Sequence, residues 1–165
     1  MRKAHRSVES PMPEAARIED QLKRALEGEA WHGPSVLELL ADVTPAQAAA
    51  KPLPGAHSIW EIVVHITAWV AAVRGRLDGQ PIDLSPEQDW PAVRDTSEAA
   101  WARSVEALKS AHQDLRYAIS LLDDSRLKDI VLGKRYSVYF MLHGVIQHDL
   151  YHAGQIAILK KTVVG

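Results

Sequence analysis

The sequence predicts an all-α protein, a four-helix bundle. Four long segments repeat apolar residues at helical spacing, helix-capping signals mark their starts, and strand-like alternation is nearly absent. The strand-like pieces, Val131 and Tyr136-Ser-Val-Tyr-Phe140, are too short and isolated to build a sheet. With 165 residues, 47% apolar and 24% charged, the chain suits one soluble globular domain spanning residues 1–165.

Residues 1–13 mix charge, Ser and two prolines and read as a loose arm. A first helix follows from about Pro13 to Glu29, striped by Ala16, Ile18, Leu22, Ala25 and Leu26. Pro13 stands early, where its missing N–H costs nothing. Gly28, Gly33 and Pro34 interrupt it, and Ser35 to Val43 then forms a short apolar helical piece. Thr44-Pro45 opens one more turn, and Lys51-Pro-Leu-Pro-Gly55 is a break. The second long helix starts at a capping box, Ser58-Ile-Trp-Glu61. It continues through Ile62, Val63, Ile66, Trp69, Val70, Val73 and Leu77 and stops at Asp78-Gly79. Residues 79–96 contain Pro81, Pro86 and Pro91 and read as a long connection. Extended, it reaches on the order of 60 Å, about twice the length of a twenty-residue helix. It can therefore cross the bundle from end to end, and helices two and three need not be antiparallel neighbours. The third helix is expected from Thr96 or Ser97 to Leu122, and the fourth from Ser137 to Lys161. Lys160 and Lys161 suit the negative end of the last helix dipole.

Composition excludes several functions. The net charge is -2 and no long basic run occurs, which argues against nucleic acid as a partner. There is no cysteine, so disulfides, thiolate metal sites and a protein thiol nucleophile are all excluded. No apolar signal core follows Met1-Arg-Lys3 and no apolar run reaches membrane length. A cytoplasmic protein without a membrane partner is the expectation.

The chemistry concentrates in the last helix. His148 and His152 are four apart, one turn above each other, on a face shared with Met141, Val145 and Leu159. Two imidazoles pointing into a core are costly unless partnered, and a divalent metal such as zinc or nickel would partner both. The pair needs a third ligand. His65, in the apolar middle of the second helix beside Ile62, Trp69 and Ala72, is the candidate. His5 lies in the arm, His32 follows Trp31 in a loop, and His57 precedes the cap. His112 belongs to a helix with a solvent-facing side, and His143 is rotated away from His148. Gln155 shares the face of the pair and suits a hydrogen bond to a ligand, to metal-bound water or between helices. Glu61 could accept the other ring N–H of His65, but its capping box competes for the same carboxylate. Asp149 is expected to orient a ligand or pair with a neighbouring helix, and Trp60 and Trp69 to lie in the core. Gly144 and Gly154 would permit close helix packing. His148-Asp-Leu-Tyr-His152 also resembles the His-Glu-x-x-His pattern of zinc peptidases. Asp reaches less far than Glu, however, and no His, Asp or Glu follows as a downstream ligand.

Two stretches together, His57-Ser-Ile-Trp-Glu-Ile-Val-Val-His65-Ile and Gln147-His148-Asp-Leu-Tyr-His152-Ala-Gly-Gln155-Ile, resemble the DinB/YfiT-like superfamily. The resemblance covers nearly the whole chain. It implies a bundle with a non-simple connection between helices two and three, usually a homodimer, and a metal bound by three His. Those map onto His65, His148 and His152. Relatives include thiol S-transferases and an isomerase that use low-molecular-weight thiols, and many have no known reaction. A metal-dependent enzyme acting on a small molecule is therefore the leading expectation, by hydrolysis or by transfer from an exogenous thiol, with its general base unassigned among groups such as His57 or His32. The rival is a non-catalytic metal-binding stress-response protein whose ion staples two helices together.

Overall fold

The computed structural model describes residues 12–163; the arm expected at 1–13 lies outside them except for Met12 and Pro13. The described chain holds seven α-helices: α1 (Glu14–Glu27), α2 (Val36–Leu40), α3 (Pro45–Ala49), α4 (Ile59–Leu77), α5 (Pro86–Asp89), α6 (Glu98–Ser120) and α7 (Val138–Val163). A 3-10 turn spans Asp124–Lys128. Among the described residues no strand forms, and Ile130 and Ser137 make an isolated antiparallel bridge. The architecture is all-α, as the periodicity predicts. Beside the four long helices stand three short ones: α2 and α3 fall where the helical piece at residues 35–43 and the turn at Thr44-Pro45 are expected, and α5 is a further turn inside the long connection. Ser35, Thr44 and Ser85 each accept a hydrogen bond from the backbone N–H of the third residue of α2, α3 and α5, whose Glu or Gln side-chain oxygen accepts one from the cap's own N–H.

The four long helices share one core. α4 packs against α6 and α7, and α1 packs against the same two. Ile18, Leu22, Ile62, Ile66, Leu108, Leu115, Leu142 and Ile156 are all essentially inaccessible to solvent. The start of α1 is capped from a distance: Asp124 accepts from the backbone N–H groups of Glu14 and Ala15 at 2.8 and 2.9 Å. None of the described helices is long and apolar enough to cross a membrane.

The connection between α4 and α6 is the crossover that its length permits. Trp60, near the start of α4, donates from Nε1 to Ser104 Oγ at 2.9 Å and meets Trp101 edge-on, both near the start of α6. The two helices therefore run parallel, and the chain must return the length of α4 between them. Gly79, with φ of 80°, makes the turn out of α4. Gly75 lets the returning chain lie close, since a Cβ there would stand 2.3 Å from Ile82 Cδ1. α7 runs the other way along α4: His65 faces His148, and Arg76 faces Tyr136.

Candidate metal centre

α4 and α7 are apolar around most of their circumference, so a His in either is carried inward. His65 and His152 are buried, and His148 is partly buried. The antiparallel packing brings the three together. His148 Nε2 lies 3.0 Å from His65 Nε2 and 3.1 Å from His152 Nε2. One ligand-capable nitrogen from each lies within 4.8 Å of the others, a group that can hold a metal ion. Tetrahedral nitrogen ligands on zinc, at about 2.05 Å, stand about 3.3 Å apart, so the observed separations are close to that spacing.

The outer nitrogens fix the tautomers. His65 Nδ1 lies 2.7 Å from the backbone carbonyl of Asp89 and 3.1 Å from its Oδ1. Both are acceptors, so Nδ1 carries the hydrogen. His152 Nδ1 donates to Gln155 Oε1 at 2.6 Å. The Nε2 atoms of His65 and His152 are therefore left as lone pairs, the form a metal requires. Protonation is suppressed as well. Burial holds all three imidazoles below their ordinary range, outweighing Asp89 at His65 and Gln155 at His152. His148 is lowered to about 3, by burial first and then by the neighbouring His152 and His65. Without a cation, a single hydrogen on His148 Nε2 can satisfy only one of the two facing lone pairs. The other would stay buried and unpaired, so the donor set fits a metal ion.

Asp89 and Trp90 come from the crossover, and the sequence reading missed both. Asp89 ends α5; its Oδ1 also accepts from Trp69 Nε1 at 2.5 Å, so one residue orients His65 and Trp69 together. The Trp90 ring stacks on His65 at 3.8 Å, and its other face stacks on His57 at 3.5 Å. The available signal was Ser85-Pro-Glu-Gln88, a capping box announcing a helical turn inside the supposed open connection. Nothing in the sequence shows where that turn docks.

The remaining candidates fall as follows. Glu61 serves its cap: its carboxylate accepts from Ser58 N–H at 2.9 Å, pairs with Lys51 at 2.7 Å and lies 3.4 Å from His57. Trp60 is core, whereas Trp69 is half-buried and lines a cavity that ends on His148. Trp90 stands between His57 and His65, and His32 lines a different hollow beside Lys160. His112 corrects the reading that set it aside: it is fully buried. Its Nδ1 faces the Leu108 carbonyl and its Nε2 faces Asp149 Oδ2, each at 2.9 Å. With an acceptor on both nitrogens the ring is an imidazolium paired with Asp149. Burial alone would lower its pKa, but the charge and hydrogen bond of Asp149 prevail and raise it. Asp149 thus pairs with a neighbouring helix, one of its two expected roles.

Comparisons with known proteins bear on the fold and the family. The chain is similar in fold to a conserved protein from Enterococcus faecalis known from a crystal structure, with a TM-score of 0.70 and 17% identity over 93% of this chain and 99% of that one. No curated protein matches the sequence significantly. The family model described as the DinB superfamily matches residues 30–156, which include α2 through most of α7 and all three histidines. The chain belongs to the DinB superfamily.

Proposed function

We propose that this protein is a metal-dependent enzyme in which His65, His148 and His152 hold one divalent cation, zinc or nickel, and that it acts on a small molecule. The observation that carries this reading is the convergence of three neighbouring Nε2 atoms, two of them left as lone pairs because their Nδ1 hydrogens are held by Asp89 and Gln155. Bound there, the cation would supply Lewis acidity, lowering the pKa of a water or of a thiol. Because the chain has no cysteine, any thiol arrives as a separate low-molecular-weight molecule. Asp89 and Gln155 hold the Nδ1 protons of two ligands and so keep their lone pairs aimed inward. The cavity between α4 and α7 gives one ligand, His148, an open flank where a substrate can approach. That flank favours a reactive centre over a purely structural staple. Hydrolysis and thiol transfer are both compatible with this arrangement.

The first experiment is elemental analysis of untagged protein purified without added metal or chelator, beside His65→Ala and His148→Ala. About one equivalent of a divalent metal, lost in both variants, is expected. Absence of metal even after reloading would defeat the proposal.

A homodimer belongs to the same reading. Phe140, Gln147, Tyr151, Gly154 and Ile158 are exposed on α7, and with half-buried Gly144 they recur at alternating spacings of four and three residues. That spacing suits two helices packed side by side. A Cβ at Gly144 or Gly154 would meet open space, which leaves room for a second backbone to approach.

A further inference from the structure

The cavity between α4 and α7 has a volume of ≈ 230 Å³ and is apolar along most of its length, with His148 at one end and Arg76 and Tyr136 towards the other. Trp69 and Phe140 supply flat walls. Arg76 is only 6% exposed, and a buried arginine needs its charge paired. Its Nε donates to the Ile82 carbonyl at 2.9 Å and its Nη1 to the Tyr136 hydroxyl oxygen at 3.2 Å. Its nearest carboxylate, Asp83, stands 3.8 Å from Nη2 and is itself held by Lys134. A guanidinium carries five N–H donors, and these contacts use two. The Tyr136 oxygen accepts from Arg76, so its own O–H is free to donate. Two groups of donors therefore meet at the end of a greasy slot, beside a buried positive charge whose pairing is incomplete.

We propose that this cavity binds a small carboxylate with a flat apolar body. The carboxylate takes the spare N–H groups of Arg76 and the O–H of Tyr136, in the manner of a forked charge-assisted pair. The body lies between Trp69 and Phe140, and its far end reaches His148. Arg76 reaches back along α4 so that its Cζ lies 5.5 Å from the Trp69 ring centroid, which puts the anchor beside the aromatic wall and suits a ring carrying its carboxylate on a short chain. The anion anchor stands on its own geometry; only the statement that the far end is where reaction occurs rests on the metal-site reading.

The test titrates 3-phenylpropionate and its neutral amide, 3-phenylpropionamide, into metal-loaded and EDTA-treated protein, by calorimetry and tryptophan fluorescence. The carboxylate is expected to bind at least about tenfold more tightly than the amide in both preparations. Arg76→Met should abolish that preference, and Tyr136→Phe should reduce it severalfold with the fold intact by circular dichroism. Equal affinity for acid and amide overturns the proposal. So does a folded Arg76→Met that keeps the preference, since the carboxylate would then be held elsewhere. If Arg76→Met does not fold, the acid–amide comparison in the wild type and in Tyr136→Phe decides. A preference in protein that takes up no metal upholds the anion site and defeats the metal reading; metal uptake without a preference does the reverse.

Discussion

His148 sits where one imidazole must face two others, and that crowding has a consequence for acid stability. In the metal-free protein its pKa is about 3, against an ordinary value of 6.5 in the unfolded chain. The unfolded state therefore takes the proton first as pH falls. Stability should be full above about pH 6.5 and decline steadily from there towards pH 3. Denaturant titration of EDTA-treated protein at pH 7.5 and pH 5 measures this slope, and His148→Gln should flatten it. Gln155 acts on the same centre through His152, so Gln155→Leu should weaken metal affinity about 10- to 100-fold without unfolding the protein. A competitive chelator titration reads that loss. The three imidazoles were legible in the sequence because helical spacing places them on apolar faces and two of them stand one turn apart. His112 was not, since its single acceptor partner on another helix, Asp149, only becomes visible once α6 and α7 are packed. Asp89 and Trp90 escaped for the same reason: their role depends on where an irregular stretch lands.

At the level of helices, the pair His112–Asp149 ties α6 to α7 through charges that are both fully buried. Asp149→Leu would leave the imidazolium without its counter-charge, and a loss of about 3–5 kcal/mol is expected from chemical denaturation. The double variant His112→Leu/Asp149→Leu should recover much of it, because neither charge is then stranded. The pH dependence opposes that of His148. A raised folded pKa gives stability that is complete below the ordinary histidine value and is lost as pH rises through the raised one. The long helices were readable from their stripes and caps, and their ends agree with the expected ones to within about two residues. The parallel course of α4 and α6 was readable from the residues as a possibility of length, and otherwise only as what the family resemblance implies. What decides it is side-chain packing, Trp60 on Trp101 and the hydrogen bond to Ser104, together with the small size of Gly75.

For the molecule as a whole, the exposed seam on α7 predicts a dimer that a charged pair should break. Tyr151→Lys with Ile158→Glu is expected to run as a monomer by light scattering, while the wild type runs as a dimer at the same concentration. Among these features, the crossover reaches furthest. An up-and-down bundle can zip each helix onto the one just made. Here the contact between Trp60 and Ser104 joins residues 44 apart, and that between His65 and His148 joins residues 83 apart. Large loops must be closed before either contact gives any return, so the contact order is high for a helical protein and folding should be correspondingly slow. The three histidines cannot meet until α7 has docked on α4, and His65 is not oriented until the returning strap has delivered Asp89. Metal uptake during refolding should therefore report the arrival of the complete topology rather than an early event.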